Sequence, residues 1–319
     1  MQDDDVTTRV VGKWPQILAT LGVEPQYLTG KNGPCPFCGG EDRFAFTDYE
    51  NKGIYLCRGC GNGDGWGFVR KYFNVNFARA VEMVEPLVGL GQLQEVEKKP
   101  KKDPIPALRY VAKQSKPVQF GGSVQRYLTS RGFEEIPEGL REAKLDFYQE
   151  GKSLGKFDTL VSLIQDFEGN GVSYHLTYTQ NGKKADVNPS RKVMSPKGTI
   201  TGAAIRLDVD FEDTICVAEG IESAYAARED SGFPAFATIT AHGMENFVPP
   251  NNVKNVWIYA DNDKSFTGQA AAYALAKRLT VKGIWAVVIV PEKIGEDFND
   301  QLMRKRSREE SGRDESFYI

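Results

Sequence analysis

The sequence predicts an α/β and α+β multidomain protein, and three observations predict it. Two Cys-x-x-Cys pairs, Cys35 with Cys38 and Cys57 with Cys60, lie near the start of a 319-residue chain. A run rich in lysine and proline interrupts the chain from Glu97 to Pro117. Beyond it, three short apolar runs each deliver acidic residues: Thr214 to Ala218 into Glu219-Gly220, Val256 to Ala260 into Asp261-Asn262-Asp263, and Trp285 to Pro291 into Gly295-Glu296-Asp297 and Asp300. Buried-type strands alternating with helical patterns imply a parallel sheet with crossover helices.

In chain order, Met1 to Asp5 is an acidic start, and Trp14, Ile17, Leu18 and Leu21 have helical spacing that Gly22 would end. Each cysteine pair sits on a turn supplied by Gly and Pro, in Pro34-Cys35-Pro36-Phe37-Cys38-Gly39 and Cys57-Arg58-Gly59-Cys60-Gly61. Two such turns aim four thiolates at one point, which suits one structural Zn²⁺ per chain better than a redox pair. Between them, Arg43 to Thr47 and Ile54 to Leu56 read as strands around a turn at Asp48 to Gly53. The result is a four-cysteine zinc ribbon. Its aromatics are interleaved with Arg43, Lys52, Arg58, Arg70 and Lys71. Rings among cations can stack on single-stranded bases or simply fill a small core. Core is expected for Phe44 and Phe46, and Arg43 is a candidate template contact. Trp66 to Val88 reads as amphipathic helix, ended by Gly89.

The division expected is 1–90 for the ribbon domain, 91–118 for a semi-extended basic linker, 119–210 for a mixed α+β subdomain, 211–303 for the acidic α/β fold and 304–319 for a disordered tail. Within 119–210, Val124 to Phe133 reads as a short helix, and Thr159 to Ile164 with Val172 to Thr179 as a hairpin. Arg191 and Lys192 on a loop, and Arg206 just before the acidic fold, are candidate phosphate contacts.

The acids demand a chemical reason. Two carboxylates about 4 Å apart repel by roughly 4 kcal/mol at an effective dielectric near 20, and one would take up a proton unless a cation intervened. An all-oxygen site that also meets phosphates suits Mg²⁺ or Mn²⁺. Any one of these acids can equally serve as a helix cap; three sets, each after a strand, point to a metal-binding crevice.

At Glu219-Gly220 and Asp261-Asn262-Asp263 the sequence resembles the Toprim family, the metal-binding fold of bacterial-type primases, topoisomerases and some nucleases. Asp297 is similar to the further acid that follows the third strand in phage primases. The run Cys35-Pro36-Phe37-Cys38-Gly39 through Asp42-Arg43-Phe44 resembles the amino-terminal zinc domain of phage and bacterial primases, whose ligands often include a His; here all four are Cys. Pro189-Ser190-Arg191-Lys192 resembles a basic loop of phage and mobile-element primases.

The resemblance implies a stand-alone DNA primase that makes short RNA primers by nucleotidyl transfer with two divalent ions. Glu219, Asp261, Asp263 and Asp297 would form its catalytic metal site, with Glu219 as ligand or general base. Its partners would be a single-stranded DNA template, ribonucleoside triphosphates and a replicative helicase on another chain, since no P-loop motif is present. Two alternatives use the same parts: a non-catalytic zinc-finger and Toprim mediator of recombination that binds single strands, and a Toprim nuclease.

Net charge of −3 and a pI near 5.7 do not advertise nucleic-acid binding, although charge can be segregated along a chain. No apolar run is long enough to span a bilayer, and no targeting leader is expected. The expected location is the cytoplasm, that of the bacterial host if the gene belongs to a phage. His175 and His242 lack ligand spacing and read as structural or surface residues.

Overall fold

The computed structural model describes residues 6–88, 103–149 and 152–315. The chain divides into two compact units, Met1–Pro100 and Lys101–Ile319.

The first unit opens with α1 (Val6–Arg9) and α2 (Trp14–Thr20), which buries Trp14, Ile17 and Leu18. Strands β1 (Gly33–Cys35), β2 (Gly39–Phe46), β3 (Tyr55–Cys57) and β4 (Gly61–Gly63) form one antiparallel sheet in sequence order. Phe44, Phe46, Tyr55 and Phe68 pack at its centre, so Phe44 and Phe46 are core. The Trp14 ring lies flat against Gly65, where any side chain would collide with it. The helical run expected from Trp66 to Val88 is two helices, α3 (Gly65–Tyr72) and α4 (Phe77–Val88). The break falls at Asn74, whose φ of 52° no helix accepts.

The second unit is one sheet with helices on its faces. Its elements are α5 (Ile105–Gln114), β5 (Lys116–Pro117), α6 (Ser123–Ser130), β6 (Leu140–Gln149), β7 (Lys152–Gln165), β8 (Gly171–Gln180), β9 (Lys183–Lys184), β10 (Arg191–Val193) and β11 (Ala204–Arg206). They continue as β12 (Thr214–Ala218), α7 (Ile221–Ser231), β13 (Ala235–Ala237), α8 (Ala241–Asn246), β14 (Asn255–Tyr259), α9 (Thr267–Val281), β15 (Trp285–Ile289) and α10 (Phe298–Glu315). The strand order is β10-β8-β7-β11-β13-β12-β14-β15, with β6 also on β7. The half up to β11 is antiparallel, whereas β13, β12, β14 and β15 run parallel. Segments 119–210 and 211–303 therefore share one continuous sheet.

Two expectations are corrected. The linker segment from 103 onward is folded: α5 buries Leu108 and Val111, Val111 against the face of β6 to β8 that holds Phe147 and Tyr178, and β5 pairs with β6. The earlier part of that linker, 91–102, lies outside the described residues. The segment 304–315 continues α10, with Arg306 donating to the Gly132 carbonyl and pairing with Glu134 and Glu229. Residues 316–319 lie outside the described residues. Among the described residues no helix is long and apolar enough to cross a membrane.

Candidate metal centres and nucleotide site

The four cysteines converge, with all four Sγ atoms within 4.8 Å of one another. Cys35 and Cys60 are 3.6 Å apart, as are Cys38 and Cys57, and all are free thiols. Tetrahedral coordination with Zn–S near 2.3 Å sets S···S at about 3.8 Å, so these residues fit Zn²⁺. Burial alone would raise the Cys57 thiol, but amides of Gly59 (3.3 Å) and Cys60 (3.4 Å) point at its sulfur and bring it down to about 7. Burial raises Cys60, and contacts with Cys38, Cys57 and Cys35 raise it further. Arg43 lies exposed on β2, its guanidinium against Gly40 and Gly59 in the two cysteine turns. Arg58 is tied to Asp42 by an ion pair of 3.2 Å.

In the second unit, β12 pairs with β13 on one side and β14 on the other, so the chain reverses its direction of winding between β12 and β14. That is a topological switch point, where the carboxyl ends of the strands leave a crevice. Glu219 leaves β12 on one side of it and Asp261 leaves β14 on the other. Gly220 starts α7, which is buried on all sides from Ile221 to Ala227.

The carboxylates are electrostatic neighbours. Burial first, then the charges of Asp261 and Asp263, push Glu219 up to about 7. Burial, then Asp297, and more weakly Asp263 and Asp300, push Asp261 up to about 6. Asp297 is raised by burial and by Asp300, against the Asp300 amide and the Arg131 guanidinium. Burial would also raise Asp263, but Ser265 Oγ at 2.6 Å and the amides of Gly268 (2.9 Å) and Thr267 (3.2 Å) hold it below its ordinary value.

Two of the acids double as caps. Asp263 receives the first amides of α9, and Asp297 exchanges hydrogen bonds with Asp300 (2.7 and 3.4 Å) in a reciprocal box that starts α10. Capping uses only Oδ1 of Asp297, whereas both oxygens of Asp263 accept hydrogen bonds. The donor set is all carboxylate oxygen with its mutual repulsion unrelieved, which fits a hard divalent cation. Among the described residues, only the cysteines already lie within 4.8 Å of one another; the acids surround the crevice without closing on one point.

Of the basic candidates, Arg191 is tied to the acidic fold through a carboxylate of α7. Its guanidinium pairs with Glu222, a buried residue in the first turn of α7, and contacts Tyr127 Oη at 3.5 Å. Tyr127 donates to the same Glu222 oxygen at 2.6 Å. Lys192, its neighbour on β10, points to the opposite face, its Nζ 3.6 Å over the Phe147 ring and bonded to the Tyr148 carbonyl at 3.0 Å. Arg206 is spent on the hairpin turn, donating to Asp166 O (2.8 Å) and Phe167 O (3.4 Å) while stacked near Phe211 and Phe236. Neither of these two joins the acids.

Sequence reasoning missed several residues. Arg131 lies close enough to lower Asp297, and its buried Nε has no partner. Lys184 is lowered by burial and then by Arg191, with a smaller contribution from Arg131, so the three cations are neighbours. Asn262, the middle of the Asp-Asn-Asp set, ties the second acidic turn to the third: its Nδ2 donates to Pro291 O (2.7 Å), its backbone exchanges bonds with Glu296 and Gly295, and Gln269 donates to its Oδ1 (3.0 Å). Asn299 donates to Arg131 O at 2.6 Å and so fixes α10 to the end of α6. Only the spacing of Asn262 between two acids hinted at this in sequence.

Comparison with known families places these parts. The Toprim domain profile matches residues 214–308, and the profile described as the zinc-binding domain of primase-helicase matches 30–66. A domain of unknown function matches 102–207. Among solved structures, the zinc-binding and RNA polymerase domains of the Aquifex aeolicus primase match at 17% identity with a TM-score of 0.43, over 95% of this chain and 84% of that one. A DNA primase domain from Pseudomonas aeruginosa matches at 16% identity and 0.43, over 63% and 74%. The primase fragment of the bacteriophage T7 primase-helicase protein matches at 15% and 0.35, over 88% and 98%. With TM-scores this low, the assignment rests on the family profiles. A primase-helicase zinc-binding domain followed by a Toprim domain makes this chain a primase-type protein.

Proposed function

We propose that the protein is a DNA primase that synthesises short RNA primers on a single-stranded template. One observation carries this reading: carboxylates from both sides of the switch point raise one another, and Arg131 of the flanking segment lies beside Asp297 with Lys184 and Arg191 as its neighbours. Acids that repel one another and cations that repel one another, placed side by side, fit a ligand bearing both metal and phosphate.

Asp261, Asp263, Asp297 and Glu219 would hold Mg²⁺ or Mn²⁺. Bound divalent ions would supply charge neutralisation at the attacking and leaving oxygens of a nucleotidyl transfer. Arg131, Lys184 and Arg191 bind and orient the triphosphate, so that the primer 3′-hydroxyl lies in line with the α-phosphate. Glu219, at the carboxyl end of β12, would either hold a cation or accept the 3′-hydroxyl proton. Arg43 and the exposed Tyr49 offer the ribbon a cation and a ring for the template strand. A helicase on another chain would bring the protein to the fork.

The test is incubation of the full chain with single-stranded DNA, labelled ribonucleoside triphosphates and Mg²⁺. Short RNA products that vanish with Asp261→Asn support the reading. A cut template would make the protein a nuclease, and strand binding without product would make it a mediator.

A further inference from the structure

The turn after β14 carries a feature that neither metal binding nor capping explains. Asp263 gathers three donors, Ser265 Oγ, Thr267 N and Gly268 N, and Ser265 Oγ also contacts Thr267 Oγ1 at 2.7 Å. A side chain at Gly268 would crowd Asp261 O and Asp263 Oδ2, each 3.3 Å from its first carbon. The turn is therefore wrapped tightly round the carboxylate. At its tip stands Phe266, with φ 58° and ψ 15° in the left-handed region. Its backbone is committed on both sides, the amide to Asp263 O (3.2 Å) and the carbonyl to Ala270 N (2.9 Å). Its side chain is 67% exposed.

Both features work against folding. A bulky residue in left-handed backbone is strained, and an exposed phenyl ring gains little from burial. Glycine or asparagine would sit here without strain. Among the described residues the ring meets no other ring and no cation. What it does have is position: it stands three residues past Asp263, at the carboxyl end of β14, on the rim of the crevice. A nucleotide whose phosphates meet the acids carries a flat π-face beyond them, and an exposed aromatic ring is its natural counterpart.

We propose that Phe266 is a stacking platform for a nucleobase whose phosphates lie at the acidic crevice. The proposal rests on the nucleotidyl-transfer reading above. The base can belong to the incoming nucleoside triphosphate or to an unpaired position of a nucleic-acid strand; the chemistry recognised is the same.

The experiment uses the full chain in Mg²⁺ with three probes: ATP, an oligothymidylate and inorganic tripolyphosphate, which has no base. Phe266→Ala removes the ring, Phe266→Gly removes the ring and the backbone strain together, and Phe266→Tyr keeps a ring. The Ala and Gly variants should each bind ATP or the oligothymidylate about tenfold more weakly, the Tyr variant should match the wild type, and all four proteins should bind tripolyphosphate equally. The probe whose binding falls identifies the source of the base. Unchanged binding of both ATP and oligothymidylate by the Ala and Gly variants, in a protein that still makes RNA, overturns Phe266 alone. Equal weakening toward tripolyphosphate also overturns it, since the ring would then act through the fold. A wild-type protein that binds no nucleotide at all overturns both this proposal and the reading on which it rests.

Discussion

Replacing Glu219 by Gln should stabilise the cation-free protein at alkaline pH while it removes activity. Burial, then Asp261 and Asp263, raise Glu219 from 4.5 to about 7. At 1.36 kcal/mol per pKa unit, ionising it in the folded chain costs at most about 3 kcal/mol relative to the unfolded chain. Water in the crevice and proton sharing with Asp261 reduce that to about 1–3 kcal/mol. The sign follows from linkage. Because the folded-state value lies above the unfolded one, the folded chain holds its proton longer, so stability falls as pH rises from about 4.5 to about 7. Below that window Glu219 contributes no difference, and above it the full penalty stands. Gln carries no charge and escapes it. Thermal unfolding in Mg²⁺-free buffer should therefore place the Gln variant roughly 3–10 °C above wild type at pH 8, and much closer to it at pH 5. Saturating Mg²⁺ should narrow the gap at pH 8, because the wild type gains more from binding. A Gln variant less stable than wild type at pH 8, or a gap equal at both pH values, would refute the claim that the carboxylates strain one another.

Three further outcomes are expected. Cys57→Ser should lose the single zinc, measured by metal analysis, and residues 30–66 should become sensitive to protease, because zinc affinity in a ribbon this small is folding free energy; retained zinc would count against the four-sulfur site. Glu222→Ala should destabilise by about 1–3 kcal/mol in chemical denaturation, since it leaves the buried Tyr127 hydroxyl without its acceptor and the partly exposed Arg191 guanidinium without its counter-ion, and adding Arg191→Met should recover part of the loss; a loss under about 0.5 kcal/mol would show that this cluster adds nothing to the fold. Truncation after Met303 should lower the melting temperature, because it removes the pairing of Arg304 with Glu296 and all contacts of Arg306; an unchanged melting temperature would show that this half of α10 adds nothing to the fold.

The readable parts of the sequence were those where chemistry and local backbone agree. Cys-x-x-Cys on glycine-rich turns, and acids one step beyond short β-branched runs, carry their own explanation. The unreadable parts depended on distant partners. Residues 105–114 look like tether because Lys and Pro dominate their surroundings, yet Pro106 sits in the first turn of α5, where proline is tolerated, and Leu108 and Val111, one turn apart, are both buried, Val111 in the cluster of Phe147. That i, i+3 pair was the available signal. The run from Arg304 to Arg308 has the composition of a solvated tail, and only the facing acids Glu134, Glu229 and Glu296 make it part of a domain. Strand β13 has three residues, too short for any periodicity to register, yet it is what places the switch point between β12 and β14.

The basic residues show most sharply where local reading stops. Arg191 and Lys192 are adjacent and chemically alike, so composition assigns them one role. A strand has a period of two, and β10 sends Arg191 to Glu222 while it sends Lys192 to Phe147 on the far face. Arg131 at the end of α6, beside Asp297, has Lys184 of β9 and Arg191 of β10 as neighbours, from three elements scattered over the segment that matches a domain of unknown function. The acids all come from the Toprim segment. The junction of β7 with β11, and of β11 with β13, is what makes one sheet of the two. The segment 102–207 is therefore more than a spacer: it places Arg131 beside Asp297 and Arg191 against Glu222, on the helix that Gly220 caps directly after Glu219.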